Sequence, residues 1–164
     1  MPATYDSIAS TTLGSNQTTV TFSSISASFT DLVLVANFNN TTSVDMFLRF
    51  NGVTTTVYSD TQLYGNGSSA ASYRQSNASA GLLDLGAGGF GTALGTTIIQ
   101  IMNYSNTTTN KTYLTRSSFS ALAVGATVGL WRSTAAINEV SIFSSSANAI
   151  ASGSTFTLYG IKAA

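Results

Sequence analysis

The side chains that carry out most enzyme chemistry are nearly missing from this chain. It has no His, no Cys, and only six Asp/Glu and six Lys/Arg in 164 residues, whereas Ser and Thr fill 50 positions. General acid–base catalysis, thiolate attack and zinc binding depend on His, Cys and clustered carboxylates. The composition therefore predicts a protein that is not an enzyme and that needs no cofactor and no metal.

Two other kinds of catalytic site are conceivable with the residues that are present. A facing pair of acids could hydrolyse a glycosidic bond, and the acids available for this are Asp45, Asp60, Asp84 and Glu139. Alternatively, these acids cap loops or form ion pairs with the arginines Arg49, Arg74, Arg116 and Arg132. A serine nucleophile lacks a base, because there is no His and neither Lys111 nor Lys162 lies in an S-x-x-K context. Calcium bound by Asp and Asn loop oxygens stays an open alternative.

The segment 86–91, GAGGFG, matches the letters of a dinucleotide-binding motif. Such a site needs a strand before it, a helix after it and an acid about 20 residues further on. Here the strand-like segment TALGTTIIQI follows, and no acid occurs between Asp84 and Glu139. We therefore interpret 86–91 as a loop.

Aromatic and arginine side chains are the remaining candidates for binding. In a β-sandwich, tyrosine or tryptophan rings can stack on sugars or fill a subunit interface while arginines form hydrogen bonds. The candidate contacts are Tyr58, Tyr64, Tyr73, Arg74, Trp131 and Arg132. The alternative for the aromatic members is packing in the core.

The elements that must position these residues are strands. Thr, Val, Ile, Phe and Tyr fill the apolar segments, and Gly, Asn and Ser separate them. The pattern predicts an all-β chain with one domain over 1–164, folded as a jelly-roll-like antiparallel β-sandwich. The predicted strands are Thr4–Leu13, Thr18–Phe22, Asp31–Phe38, Val44–Phe50, Val53–Ser59, Thr97–Ser105, Lys111–Phe119, Val128–Arg132, Ile137–Phe143 and Ser154–Ile161.

Two connections have distinct local signals. Asn51-Gly52, between MFLRF and VTTTVYS, predicts a β-hairpin with a type I′ turn. The Gly/Ser-rich stretch of about 64–94 has weak strand character and predicts a long functional or interface loop.

The strands Leu32–Ala36 and Ile98–Met102 are apolar on both sides, although one side of a sandwich strand faces away from the core. Only 7% of residues are charged and the formal net charge is zero, so little electrostatic repulsion opposes association. We expect a homo-oligomer. No basic run indicates a nucleic-acid partner, and no apolar segment is long enough to predict a membrane span. The N-terminal segment MPATYDSIASTTLG has neither a basic region nor an apolar region that would predict a signal peptide.

The C-terminal quarter of the sequence contains the most specific motifs. It reads GLWRSTAAINEVSIF and then ASGSTFTLYGIKAA, and it resembles a family of small virion structural proteins of tailed bacteriophages, especially phages of cyanobacteria and other aquatic bacteria. That family ends in a GS-x-x-x-LYGI strand preceded by a W-x-S-x-x-x-I segment. The matching positions are Gly153, Ser154, Leu158, Tyr159, Gly160 and Ile161, with Trp131, Ser133 and Ile137. FTDLVLVANF, LRFNG and QLYGNGSS extend the resemblance along nearly the whole chain.

The resemblance implies a virion protein without catalytic residues. We expect a capsid decoration or cement protein that is assembled in the bacterial cytoplasm as a trimer and contacts the major capsid protein or other virion proteins. The alternative is a tail or head-fibre adhesin that binds host surface polysaccharide through 64–77. The chain departs from the family at one position: related sequences usually place Asp after the hairpin glycine, whereas this chain has Val53.

Overall fold

The computed structural model describes residues 4–83, 89–119 and 123–162. Within these ranges the chain forms twelve β-strands and no helix. The strands are β1 Tyr5–Thr12, β2 Thr19–Phe22, β3 Asp31–Phe38, β4 Met46–Phe50, β5 Tyr58–Gly65, β6 Ala70–Ala78, β7 Gly81–Leu82, β8 Gly95–Met102, β9 Lys111–Phe119, β10 Ala123–Trp131, β11 Val140–Ser144 and β12 Thr155–Ile161. No membrane-spanning helix is therefore found in the described ranges.

The strands form two sheets of unequal size. The large sheet has the order β1-β12-β3-β8-β9-β10-β5-β6, and the small sheet has the order β2-β11-β4-β7. All of these neighbours pair antiparallel. The predicted fold class, a jelly-roll-like antiparallel β-sandwich, is confirmed.

The core lies between the two sheets, where alternate residues of each strand point inward. Leu34 of β3, Ile99 of β8 and Leu158 of β12 are fully buried on the large-sheet side. Leu48 and Val140 face them from the small sheet and are also fully buried. This alternation, with intermediate exposure at most intervening positions, is the pattern that fixes the register of each strand.

The Asn51-Gly52 turn is confirmed, but the hairpin is not. Asn51 and Gly52 both have positive φ, at 51° and 63°, and the amide of Val53 donates to the carbonyl of Phe50 at 3.0 Å. However, β4 pairs with β11 and β7 of the small sheet, whereas β5 pairs with β10 and β6 of the large sheet. Residues 53–57, predicted as part of a strand, instead cross from one sheet to the other.

The prediction of a long loop over about 64–94 is wrong for 64–82, where parts of three strands lie. β5 continues to Gly65, β6 runs back beside it, and β7 adds a short strand to the small sheet. The turn between β5 and β6 is closed by Asn66, whose Oδ1 accepts the amides of Ser68 at 3.0 Å and Ser69 at 2.9 Å. Small polar residues suffice here because an edge strand needs backbone pairing more than it needs buried side chains.

Candidate functional site

The outward side of the large sheet carries several exposed apolar side chains. Cross-strand partners lie on the same face of a sheet, and one row of partners runs Val35, Ile98, Arg116, Ala126 and Leu63 across five strands. A second row brings Leu114 beside Val128, and Val124 lies two residues before Ala126 on the same face. We call the surface formed by Val35, Ile98, Leu63, Leu114, Val124, Ala126 and Val128 the outer apolar face.

Several side chains of the outer apolar face are solvent-exposed. Leu63, Val124 and Val128 have exposed fractions of 64%, 62% and 59%. Arg116 stands among them, in an open depression of about 400 Å³ that Ile98 and Val124 also line. A cluster of exposed apolar side chains on one face is typical of an interaction site, whereas single exposed apolar residues are ordinary.

Two of the six predicted contact residues cannot meet a ligand at the surface. Tyr58 and Trp131 have exposed fractions of 0% and 1%. Their rings stack on each other at 6.4 Å and both contact Phe50. Tyr58 and Trp131 are cross-strand partners on the inward side of the large sheet. Both therefore pack in the core, which was the alternative stated for the aromatic residues.

The other four predicted residues do not converge on one site. Tyr64 and Tyr73 lie on the same side of the β5–β6 hairpin, because Tyr64 pairs with Ala71 and Tyr73 pairs with Gln62. Arg74, the next residue, points to the opposite side. Arg132 is occupied by internal contacts, since it donates to the Ser59 hydroxyl, to the Thr56 carbonyl at 2.9 Å and to the Asn77 side chain at 2.9 Å.

The candidate acids whose positions are described lie in different environments. Asp45 is exposed and Asp60 is buried, while Asp84 lies outside the described residues. The ion pair found within the described ranges joins Lys162 to Asp6, so the predicted pairing of these acids with the four arginines is not seen there. No group of three or more acids approaches metal-binding geometry among the residues that the structure describes.

Asp60 forms a buried polar cluster that sequence reasoning missed. Its Oδ2 accepts hydrogen bonds from Gln75 Nε2 at 2.8 Å, from the Leu82 amide at 3.2 Å and from the Tyr113 hydroxyl at 3.4 Å, whereas its Oδ1 is buried without a partner. Burial raises the pKa of the Asp60 carboxyl, although the three hydrogen bonds oppose the shift. Burial and the adjacent Asp60 together raise the pKa of Tyr113 well above its usual value.

Gly129 makes room for this cluster. Gly129 lies between Tyr113 and Asp60 in the cross-strand row, and the Tyr113 ring passes over it toward the carboxylate. A Cβ at Gly129 would lie 1.9 Å from Tyr113 Cζ. In the sequence, the glycine inside this predicted strand was the signal that could have indicated the cluster, since a glycine within a strand often marks close approach by another group.

Lys111 is also buried, and its role is structural. Its Nζ donates to the carbonyls of Thr109 at 2.8 Å and Thr134 at 3.2 Å. Burial lowers the pKa of Lys111. The ammonium thus ties the turn before β9 to the segment after β10.

The glycine-rich motif lies only partly in the described residues. Gly86, Ala87 and Gly88 are outside them. Phe90 is buried, bridges to Val44 and packs against Phe38 with ring centroids 4.8 Å apart. The strand β8 follows, as the loop interpretation requires.

Comparison with known proteins gives similarity to solved structures alone. No protein-family model matches the sequence, and no curated protein matches it. The chain is similar to a tetrameric galectin from the ball sponge Cinachyrella sp., with 9% identity, TM-score 0.36 and coverage of 87% of this chain and 99% of the galectin. It is similar to Caenorhabditis elegans galectin LEC-6, with 5% identity, TM-score 0.37 and coverage of 94% and 96%.

A third similar structure is a mutant of the alginate lyase Aly36B in complex with alginate tetrasaccharide. It has 7% identity and TM-score 0.37, and the match covers 94% of this chain and 81% of the lyase. These TM-scores are low, so the function is argued from the surface geometry of this chain.

Proposed function

We propose that this protein is a non-enzymatic structural component of a tailed-phage virion, a capsid decoration or cement protein that assembles as a trimer. The observation that carries the proposal is the outer apolar face, with Leu63, Val124 and Val128 each more than half exposed. The resemblance of the C-terminal segment to phage virion proteins supplies the setting.

The physical argument is the cost of leaving this face in water. Burial of apolar surface contributes about 25 cal/mol per Å², and a specific interface covers about 800 Å² per partner. Arg116 is the charge in the middle of the face, and its long aliphatic stem can remain packed while its guanidinium reaches the rim. The face therefore suits contact with protein better than contact with solvent.

Such contacts stabilise a particle by mass action. A protein that binds the assembled shell and not its separated subunits lowers the free energy of the assembled state by an amount that grows with its concentration. This role requires complementary surfaces and no reacting groups.

The decisive experiment is to locate the protein in a cryo-EM reconstruction of its virion. We expect density for the sandwich on the capsid exterior, with the outer apolar face against a neighbouring protein. Capsids stripped of the protein should lose heat resistance and regain it when purified protein is added back. Density confined to the tail would contradict the decoration role.

A second candidate function is recognition of host surface polysaccharide by a fibre adhesin. It is favoured by Tyr64 and Tyr73, which share one side of the β5–β6 hairpin, with Tyr73 49% exposed. Co-sedimentation of purified protein with host polysaccharide tests it. Saturable binding together with a tail location would favour the adhesin over the decoration protein.

A further inference from the structure

The two sheets have four edge strands, and three of them carry features that hinder pairing with another chain. β2 has four residues and β7 has two. β1 is irregular between Ser7 and Ala9, and the ion pair of Asp6 with Lys162 lies at its start. Short length, bulges and charge are the usual means by which proteins protect edge strands.

The fourth edge strand, β6, lacks such protection over Ala70–Gln75. This stretch pairs with β5 without a break in register, and its first five residues are all exposed. It contains no proline and one charge, Arg74. The irregularity of β6 lies beyond it, where Asn77 has a φ of 54°. No strand in the described ranges pairs with β6 on the side away from β5.

From this contrast we infer that Ala70–Gln75 is a docking edge for a second copy of the chain, which adds antiparallel so that two large sheets become one continuous sheet. The inference rests on the proposed function, because this contact joins a copy in one trimer of the decoration protein to a copy in a second trimer. The two copies are related by a twofold axis at Tyr73.

A second copy fits this edge because the edge is compatible with itself. A twofold axis perpendicular to the sheet makes an antiparallel contact between two identical strands, with inner faces on one side and outer faces on the other. Leu63 lies on the strand next to β6, so the joined sheet brings the outer apolar faces of both copies onto one side. Ala70–Gln75 itself supplies a long partner edge that has no proline and a single charge.

Charge and aromatic packing select the register. An axis at Arg74 would place two arginines directly opposite each other, which is unfavourable. An axis at Tyr73 instead places the two tyrosines opposite each other, as an aromatic cross-strand pair, and sets Ser72 opposite the partner's Arg74. The five residues from Ala71 to Gln75 then pair completely.

This register predicts opposite effects for two substitutions at one exposed position. Ser72→Lys places a cation opposite the partner's Arg74 twice in each contact and should weaken dimerisation through β6 about tenfold or more. Ser72→Glu places an anion there and should preserve or strengthen it. Light scattering at low micromolar concentration should give the Ser72→Lys variant half the mass of the wild-type protein, and circular dichroism should show that both variants are folded.

Because the chain has no cysteine, a single introduced cysteine reports the twofold axis directly. Tyr73→Cys should form a disulfide-linked dimer under mild oxidation, since only the residue on the axis meets its own copy. Ser10→Cys, on the β1 edge, is the matched control and should stay monomeric on a denaturing gel.

Equal masses for Ser72→Lys and Ser72→Glu, or equal crosslinking of the two cysteine variants, would overturn the docking edge. The proposed function is tested separately by Val128→Lys, which perturbs the outer apolar face and leaves β6 unchanged. A virion location with unchanged Ser72→Lys assembly would retain the decoration role and reject the edge contact.

Discussion

Asp60 is a residue whose ionisation couples the free energy of unfolding to pH. Its pKa is raised in the folded chain by burial, so the folded state keeps the proton to higher pH than the unfolded state does. Where the folded state binds more protons, stability falls as pH rises. The loss begins near the unfolded pKa, continues through the folded pKa and is constant above it.

We therefore expect Asp60→Asn to remove this part of the pH dependence. The asparagine Oδ1 can still accept from Gln75 and from the Leu82 amide, without a buried charge. Urea denaturation at pH 4 and pH 7 should show a smaller loss of stability toward pH 7 in the variant than in the wild-type protein. Asp45→Asn, at an exposed position, is the control, and an equal pH dependence of both variants would contradict the role of Asp60.

Adding one methyl group at Gly129 should lower the stability of the fold. The new Cβ would overlap the Tyr113 ring, which is fully buried and cannot swing into solvent. We expect Gly129→Ala to destabilise the fold by about 3 kcal/mol, at the upper end of overpacking effects. Gly14→Ala, with no atom within 4 Å of its added Cβ, should change the free energy of unfolding by less than about 0.5 kcal/mol.

The burial of individual aromatic residues could not be predicted from the sequence. Tyr58, Trp131 and Tyr73 are all aromatic residues in strand-like segments, yet the first two are buried and the third is half exposed. Whether each ring is buried depends on its position relative to the small sheet. That position follows from the order of the strands in the sheets, which depends on long-range pairing and cannot be read from local sequence pattern. The Asp60 cluster joins β5, β6, β7 and β9, so no short motif could reveal it.

At the scale of elements, the Asn51-Gly52 turn can be tested by itself. Gly52 has a φ of 63°, and β-branched residues resist this region at a cost of about 1–2 kcal/mol. We expect Gly52→Val to be destabilised by that amount relative to the wild-type protein and Gly52→Asn to be affected less. Thermal melts of the two variants provide the measurement, and equal melting temperatures would argue against the positive φ.

Strongly patterned strands are predictable from sequence. The bounds of β3 and β9 agree with the prediction: β3 is largely a continuous apolar run, and β9 alternates buried and more exposed positions. β6 was missed because Ala, Ser and Asn have low strand propensity, and its pairing with β5 supplies what its side chains do not. The segment 53–57 resembles a strand in sequence because its Val and Thr residues favour strands locally. It is not a strand because it connects β4 of the small sheet to β5 of the large sheet.

For the whole molecule, the outer apolar face predicts how the oligomer responds to charge. Val128 is 59% exposed, so Val128→Lys should leave the fold intact and remove a contact that association would bury. Light scattering should report a multiple of 16.9 kDa for the wild-type protein and a lower mass for this variant. Thr54→Lys, exposed in the crossing segment, should have the wild-type mass, and a monomeric wild-type protein would contradict the proposed assembly.

The position of β12 has a consequence for synthesis on the ribosome. β12 is the last strand of the chain, yet it lies between β1 and β3, with Tyr5 opposite Ile161 and Leu34 opposite Leu158. Until the final segment emerges, β1 has no neighbour in its sheet and β3 has an open flank, so the nascent chain carries a strand-shaped gap. Closing this gap requires contacts across nearly the full chain length, which slows folding and leaves unpaired strands available to other nascent chains. Completion of the large sheet therefore depends on how soon β12 leaves the ribosome.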